Sequence, residues 1–266
     1  MNQIYISKVI RKEQISTSLV LFELELINPT DFFFKSGQYL AITLPDGKSI
    51  RAYSISSSEL NKNKLELTIN IFDRSLGGAG VDFLNSLNIN DTVNFTGPYG
   101  KLTLEKTNII KDEKLNTDVT EIIWIGTGSG IAPMKSMLEY LNYYSQTSGD
   151  EHLKNCLYRF YLGFRYSGDV CYFNELKKVE DLPSDFRFKY CLSKYGTSED
   201  QGAVNIPHEY VTKGYVTEQI LADNENMDKT KAQIFLCGKN STLQSIMIEL
   251  VNAGFKKENM HIENYG

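Results

Sequence analysis

The stretch Glu121–Leu141, EIIWIGTGSGIAPMKSMLEYL, sets the reading of the chain. EIIWI makes a short apolar strand, and Gly126, Gly128 and Gly130 follow it. Ile131, Met134, Leu138 and Leu141 then recur at helical spacing, with Pro133 in the first turn. A buried strand that runs through glycines into a helix is the βα turn of a parallel sheet. Glycines let the backbone approach a ligand closely, and the unpaired N–H groups of the helix suit a pyrophosphate. Tight packing of helix on sheet also calls for glycine. The spacing departs from G-x-G-x-x-G and no G-K-[ST] follows, so neither an ordinary dinucleotide fingerprint nor a P-loop fits.

Downstream the same grammar continues. Strands are expected over 155–164, 187–193 and 233–238. Helices are expected near 174–179, from Gly214, and over 241–254 up to Gly254. Upstream the grammar differs. Residues 18–26, 37–44, 64–72 and 91–97 are short β-branched and aromatic runs punctuated by NPT, PDG, NKN and GPYG, and one helix is expected over 81–87. Evenly spaced strands without helices between them predict an antiparallel barrel. The polar segment after Lys106 predicts a linker, so the expected domains are 1–106 and 121–266, joined by 107–120.

At 266 residues the chain is long enough for one large domain or two modest ones. Its 41% apolar and 23% charged residues are those of a soluble globular protein. MNQIYISKVIRKEQ lacks the apolar core of a signal peptide and no run approaches membrane-spanning length, so a cytoplasmic protein with no membrane attachment is expected. Cys156, Cys171, Cys191 and Cys237 stand 15, 20 and 46 residues apart, which suits free thiols and neither a disulfide framework nor an iron–sulfur cluster. His152, His208 and His261 are dispersed, with no C-x-x-C or H-E-x-x-H, so no metal site is expected. Residues 1–106 hold 11 basic and 11 acidic side chains; the other 17 basic and 22 acidic carry the net charge of −5. Neither half is basic enough for nucleic acid.

Three further stretches leave alternatives open. Arg51–Ser58, RAYSISSS, joins a cation, an aromatic face and hydroxyls, which suits a planar ring bearing a phosphate or an ordinary polar turn. Cys237 ends a strand, where parallel sheets bind ligands, but cysteine is also among the most commonly buried residues, and packing is the expectation on that ground alone. Ser193 and Lys194 suit an extra phosphate or a solvated loop.

In order, R-x-Y-S-x-x-S, G-P-Y-G-K-L, G-T-G-S-G-I-A-P, a strand ending in C-G and the terminus I-E-N-Y-G resemble the ferredoxin–NADP⁺ reductase family over nearly the whole chain. The resemblance implies an N-terminal antiparallel β-barrel flavin domain and a C-terminal α/β parallel-sheet nucleotide-binding domain, with FAD and NADP(H) as cofactors. It implies that Arg51 pairs with a flavin phosphate, Tyr53 stacks on the isoalloxazine and Ser54 hydrogen-bonds near N5. Ala52 and the strand Ile69-Asn70-Ile71 complete the flavin contacts. Where the family carries G-x-x-S-x-x-L this chain has GGAGVDFL, with Gly80 or Val81 in the serine slot. The backbone around Gly78, Ala79 and Gly80 is left to hold the phosphate, and FMN stays the alternative to FAD.

By the same resemblance Thr127 lies near both flavin and nicotinamide, and Cys237 contacts the nicotinamide. Tyr265 covers the flavin face, although Gly266 follows it here, and Ser54 and Glu263 polarise the flavin and relay protons. Gly128, Gly130, Phe164, Arg165, Gly238 and Lys239 are the implied nucleotide contacts. Ser193-Lys194 and Lys213 with Tyr215 are the implied 2′-phosphate and adenine contacts, with lysine where the family's serine pair has arginine.

The implied activity is hydride transfer between nicotinamide and flavin, then single electrons to ferredoxin or flavodoxin. Such carriers are acidic, and Lys35, Lys48, Lys62, Lys64, Arg74 and Lys101 are the candidate basic rim. The rivals are an NAD(P)H:flavin oxidoreductase, an oxygenase reductase component and a non-catalytic nucleotide-binding subunit. The Glu-x-Tyr terminus favours the reductase over the first two.

Overall fold

The computed structural model describes residues 3–72, 78–105, 110–111, 114–115, 118–148, 150–180, 185–200, 206–225 and 227–265. Arg74, Gly266 and much of the expected linker lie outside them.

The first half contains β1 (Ile4–Gln14), β2 (Leu19–Asn28), β3 (Tyr39–Thr43), β4 (Ile50–Ser54), β5 (Lys64–Asn70), α1 (Ala79–Ser86) and β6 (Thr92–Tyr99). The sheet order β4-β3-β6-β1-β2-β5 is antiparallel throughout. Its two edges meet where Ile55 bridges Leu67 and the Ser56 N–H donates to Glu66 O at 2.8 Å, which closes the barrel. Val9, Phe22, Leu24, Phe32, Leu40, Leu67 and Phe95 fill its interior.

Two short strands, β7 (Ile110–Lys111) and β8 (Lys114–Leu115), pair with each other between the halves. The second half contains β9 (Glu121–Thr127), α2 (Ile131–Thr147), α3 (Glu151–Asn155), β10 (Leu157–Phe164), α4 (Phe173–Glu180) and β11 (Phe186–Leu192). It continues with β12 (Val211–Lys213), α5 (Val216–Asp223), β13 (Ala232–Lys239), α6 (Asn240–Asn252) and β14 (Met260–Tyr265). All neighbours in the order β12-β11-β10-β9-β13-β14 are parallel. The chain steps to one side of β9 and returns on the other, so the carboxyl ends of β9 and β13 form the switch point where such sheets bind ligands. Successive residues of β9 enter opposite cores, Trp124 on one face and Ile123 and Ile125 on the other. Among the described residues no helix is long and apolar enough to cross a membrane.

The strand and helix expectations hold to within a few residues, and β1, β4, β7, β8, β12, β14 and the short α3 were not expected. β1 carries Lys8, Arg11, Lys12 and Glu13, so its apolar face is sparse, yet it pairs on both sides. RAYS is itself β4, paired with β3 so that Tyr39 lies opposite Ser54 and Ile42 opposite Arg51. The terminus, where the resemblance places Tyr265 over the flavin face, is the edge strand β14 beside β13.

The halves pack together. Leu19, Leu102 and Leu104 of the first belong to the core around Trp124 of the second. At the far end of β9, Glu121 is 2% exposed; its Oε1 has no hydrogen-bond partner among the described residues and Arg159 Nε lies 3.8 Å away. Burial pushes its carboxyl up to about 7, against the pull of Arg159. The folded state then binds more protons than the unfolded state between the ordinary carboxylate range and about pH 7, so its stability contribution falls as pH rises through that window. Glu121→Gln is expected to gain on wild type by about 2 kcal/mol between pH 5 and pH 8, read from urea midpoints. Parallel profiles would contradict this.

Candidate active site

A cavity of about 530 Å³ lies between β4, β5, the start of α1 and the ends of β13 and β14. Arg51, Ala52, Tyr53 and Ser54 line it from β4; Ile69 and Asn70 from β5; Gly78 and Gly80 from α1; and Cys237, Glu263 and Tyr265 from the second domain. Sequence alone did not single out Tyr39, Thr68, Gly100 or Ser129, which also line it. The G-P-Y-G-K-L motif was the available signal for Gly100.

The polar groups in this cavity are poised for a ligand. Burial pushes the Tyr53 phenol up to about 12, against the pull of Arg51. A Cβ on Gly80 would stand 2.5 Å from Tyr53 Oη and 2.8 Å from Arg51 Cγ. Only glycine brings the first turn of α1 this close to the arginine and the ring. That is a physical reason for glycine at position 80, one of the two positions, with Val81, that fall in the motif's serine slot. Arg51 with the N-terminal amides of α1 forms a cradle that fits a phosphate, and the Tyr53 ring beside it fits a planar heterocycle. At the other end Glu263 Oε1 is buried without a hydrogen-bond partner among the described residues, and burial pushes its carboxyl up to about 7. Cys237 faces Glu263 across the β13–β14 register and is 1% exposed. Burial, followed by Glu263, pushes its thiol well up, so it is neutral and apolar in character. These residues fit a flavin.

Tyr265 stands at the seam. Its hydroxyl donates to Thr127 O at 2.8 Å and accepts the Gly130 N–H at 3.1 Å, closing the glycine turn. Across that turn lies a second cavity of about 910 Å³ above the carboxyl ends of β9, β10 and β11. Thr127, Gly128, Phe164, Arg165, Ser193, Tyr215 and Lys239 line it, and Asn70 lines both cavities. Tyr166, Asp169, Cys191, Thr217, Ser241 and Thr242 were not foreseen there.

The remaining candidates lie elsewhere. Ile71 packs on the barrel core, and neither it nor Ala79 lines either of these two cavities. A Cβ on Gly130 would lie 2.1 Å from Cys237 O, and one on Gly238 2.0 Å from Thr127 Oγ1, so both glycines allow backbone packing at the switch point. Lys213 is exposed beside β11. Lys194 pairs with Glu199 at 2.9 Å, and neither lines the second cavity. Of the candidate rim, Lys35 pairs with Glu59 and Glu105 and Lys62 lies over the Phe33 ring, while Lys48, Lys64 and Lys101 are exposed.

Comparison with known proteins agrees with this geometry. Residues 7–104 match the oxidoreductase FAD-binding domain family and residues 124–248 the oxidoreductase NAD-binding domain family. The reductase component of propane 2-monooxygenase from Mycolicibacterium smegmatis is 28% identical over 220 residues, covering 83% of this chain and 56% of that protein. Ferredoxin–NADP reductase B from Sorangium cellulosum is 25% identical over 242 residues, covering 88% of this chain and 86% of that protein. The chain spans 56 to 63% of the length of the propane monooxygenase reductase components it matches. The fold is that of the crystal structure of the Amycolatopsis cytochrome P450 reductase, with a TM-score of 0.77 at 20% identity over 98% of this chain and 69% of that one. An antiparallel barrel with an FAD-binding signature, followed by a parallel sheet with an NAD-binding one, makes this chain a member of the ferredoxin–NADP⁺ reductase family.

Proposed function

We propose that the chain is an FAD-dependent reductase that takes hydride from NADPH and passes single electrons to ferredoxin, flavodoxin or a similar carrier. One observation carries this: the two cavities share Asn70, and Tyr265 of the first cavity donates to the backbone of Thr127 of the second, so rings held in each come together at one seam. A bound flavin supplies the conversion between two-electron and one-electron transfer. The chain's residues do the rest. Arg51 and the α1 amides anchor a phosphate, and Tyr53 provides a stacking face. Cys237 gives a neutral wall for the nicotinamide, Glu263 holds a proton at its Oε1, and Tyr265 covers the seam until the nicotinamide enters. A retained yellow chromophore that bleaches under anaerobic NADPH and is reoxidised by ferredoxin or flavodoxin supports this reading. Turnover that needs added free flavin would replace it with the NAD(P)H:flavin oxidoreductase.

A second reading is the reductase component of an oxygenase, favoured by the propane 2-monooxygenase and toluate 1,2-dioxygenase relatives. Carrier specificity separates the two: reoxidation by a free ferredoxin or flavodoxin supports the first, and reoxidation by an oxygenase alone the second.

Preference for NADPH rests on Arg165, Ser193 and Tyr215 in the second cavity. Lys194 is held by Glu199, whose carboxyl that contact lowers, so a 2′-phosphate competes with Glu199 for this cation. Glu199→Gln is expected to lower KM for NADPH by about 2- to 5-fold and leave KM for NADH unchanged, the scale of one exposed ion pair. Equal changes for both nucleotides would remove Lys194 from the phosphate subsite.

A further inference from the structure

The serines after RAYS face the second domain. Lys135, one turn into α2, is 6% exposed. Its ammonium donates to Ser56 O at 3.3 Å and pairs with Glu66 at 2.9 Å and with Glu139 one turn along the helix. Beside it the Ser136 hydroxyl donates to Ser57 O at 2.6 Å, and the Ser58 N–H donates to Glu139 at 3.1 Å. The helix that starts at the glycine turn therefore grips the chain where β4 leads into β5.

Tyr172 completes the grip. Its ring lies 5.1 Å from the Lys135 ammonium. Its hydroxyl shares a 2.5 Å hydrogen bond with Thr68 Oγ1, and Thr68 lines the first cavity. Tyr172 is 8% exposed and holds φ at +60°, a left-handed conformation that a bulky aromatic residue adopts only when its surroundings enforce it. The segment leading to it, Arg165–Asp169, lines the second cavity. That segment also touches the barrel, since the Thr17 hydroxyl donates to Asp169 at 2.8 Å and the Thr17 N–H to Gly168 O at 2.8 Å.

We propose that Tyr172, acting with Lys135, is a positioning residue that fixes the angle between the domains and thereby the approach of the nicotinamide to the flavin. The proposal rests on the reductase reading. Hydride transfer needs the reacting atoms within about 3–3.5 Å of each other, and a spread of domain orientations dilutes that geometry. The clamp sits between the strand that carries Arg51–Ser54 and the strand that carries Thr68–Asn70, so it holds both walls of the first cavity to the helix that begins at the second. The charges suit a clamp more than a site: Lys135 is enclosed, and its carboxylate partners reach water at their outer edges.

Tyr172→Phe keeps the ring over Lys135 and removes only the bond to Thr68. In the purified protein without added nucleotide, amide hydrogens of residues 54–58 and 66–70 are expected to exchange at least tenfold faster, while those of β9 keep their rates. Single-turnover reduction at saturating NADPH is expected to slow by tenfold or more, with flavin and nucleotide dissociation constants within threefold of wild type. Thr68→Val should give the same rise in amide exchange and add little to that of Tyr172→Phe, as two ends of one contact do. Unchanged exchange at residues 54–58 and 66–70 overturns the clamp whatever the activity. A wild-type protein that NADPH does not reduce overturns the reductase reading, and a Tyr172→Phe protein reduced as fast as a reducible wild type overturns the clamp alone.

Discussion

Gly130→Ala is expected to destabilise the protein by about 3 kcal/mol and to abolish retention of nucleotide. The backbone at Gly130 is right-handed, with φ at −62°, so alanine meets no conformational objection there. The cost is steric: the added Cβ would lie 2.1 Å from Cys237 O, 2.6 Å from Cys237 C and 3.0 Å from Gly238 N. These are main-chain atoms of β13 and cannot rotate aside. The start of α2 and the end of β13 must separate, which also breaks the bond from the Gly130 N–H to Tyr265 and widens the seam between the cavities. Gly196→Ala is the control. Its φ is +67° and nothing lies within 4 Å of the added Cβ, so only left-handed strain of about 1–2 kcal/mol remains. Urea unfolding with matched m-values separates the two, and a shift for Gly130→Ala no larger than for Gly196→Ala would refute the packing argument.

Glu263→Ala is expected to lower kcat/KM for NADPH by about 100-fold, the usual scale for removing a positioned proton donor. Glu263 faces Cys237 across the sheet edge, and its Oε1 is buried with no hydrogen-bond partner among the described residues. Gly100, at φ +98°, makes room for it: a Cβ there would lie 2.8 Å from Glu263 Oε2. Burial holds the carboxyl up to about 7, so it is protonated below that pH and ionised above it. The neutral form would donate a hydrogen bond into the cavity; the ionised form would set a negative charge in a poorly solvated site, opposing the negative charge that a flavin held there would gain on reduction. The pH profile of kcat/KM is therefore expected to fall as pH rises through about 7. Glu263→Gln keeps a donor and cannot ionise, so it should remain within tenfold of wild type and lose that limb. A limb that persists in the glutamine variant assigns it to another group.

Much of this was legible in the chain because the signals are local. Period-two runs before Lys106 and strand–glycine–helix alternation after Glu121 report which faces are buried, and burial of a face is what makes a barrel or a parallel sheet. Arg51, Tyr53 and Ser54 were legible for the same reason: they are neighbours on one strand and line one wall. The extent of β14 was not, because MHIENY alternates too weakly to read as a strand until β13 provides its partner.

The sequence by itself determined two domains of different grammar, the glycine turn at their switch point and the ordered motifs of a flavin and nicotinamide reductase. Only the tertiary structure decided what the polar residues do. Ser56–Ser58, in a stretch that suits a ring bearing a phosphate or a polar turn, are buried against Lys135, Ser136 and Glu139. Lys194, which suits an extra phosphate or a solvated loop, pairs with Glu199 in the folded chain. Lys135 sits in an ordinary helix pattern and is a buried charge between domains. A serine or lysine has the same local pattern whether water, a ligand or a distant strand satisfies it. Hydrogen bonding requires only that some partner be present, and which one is set by contacts far apart in the chain.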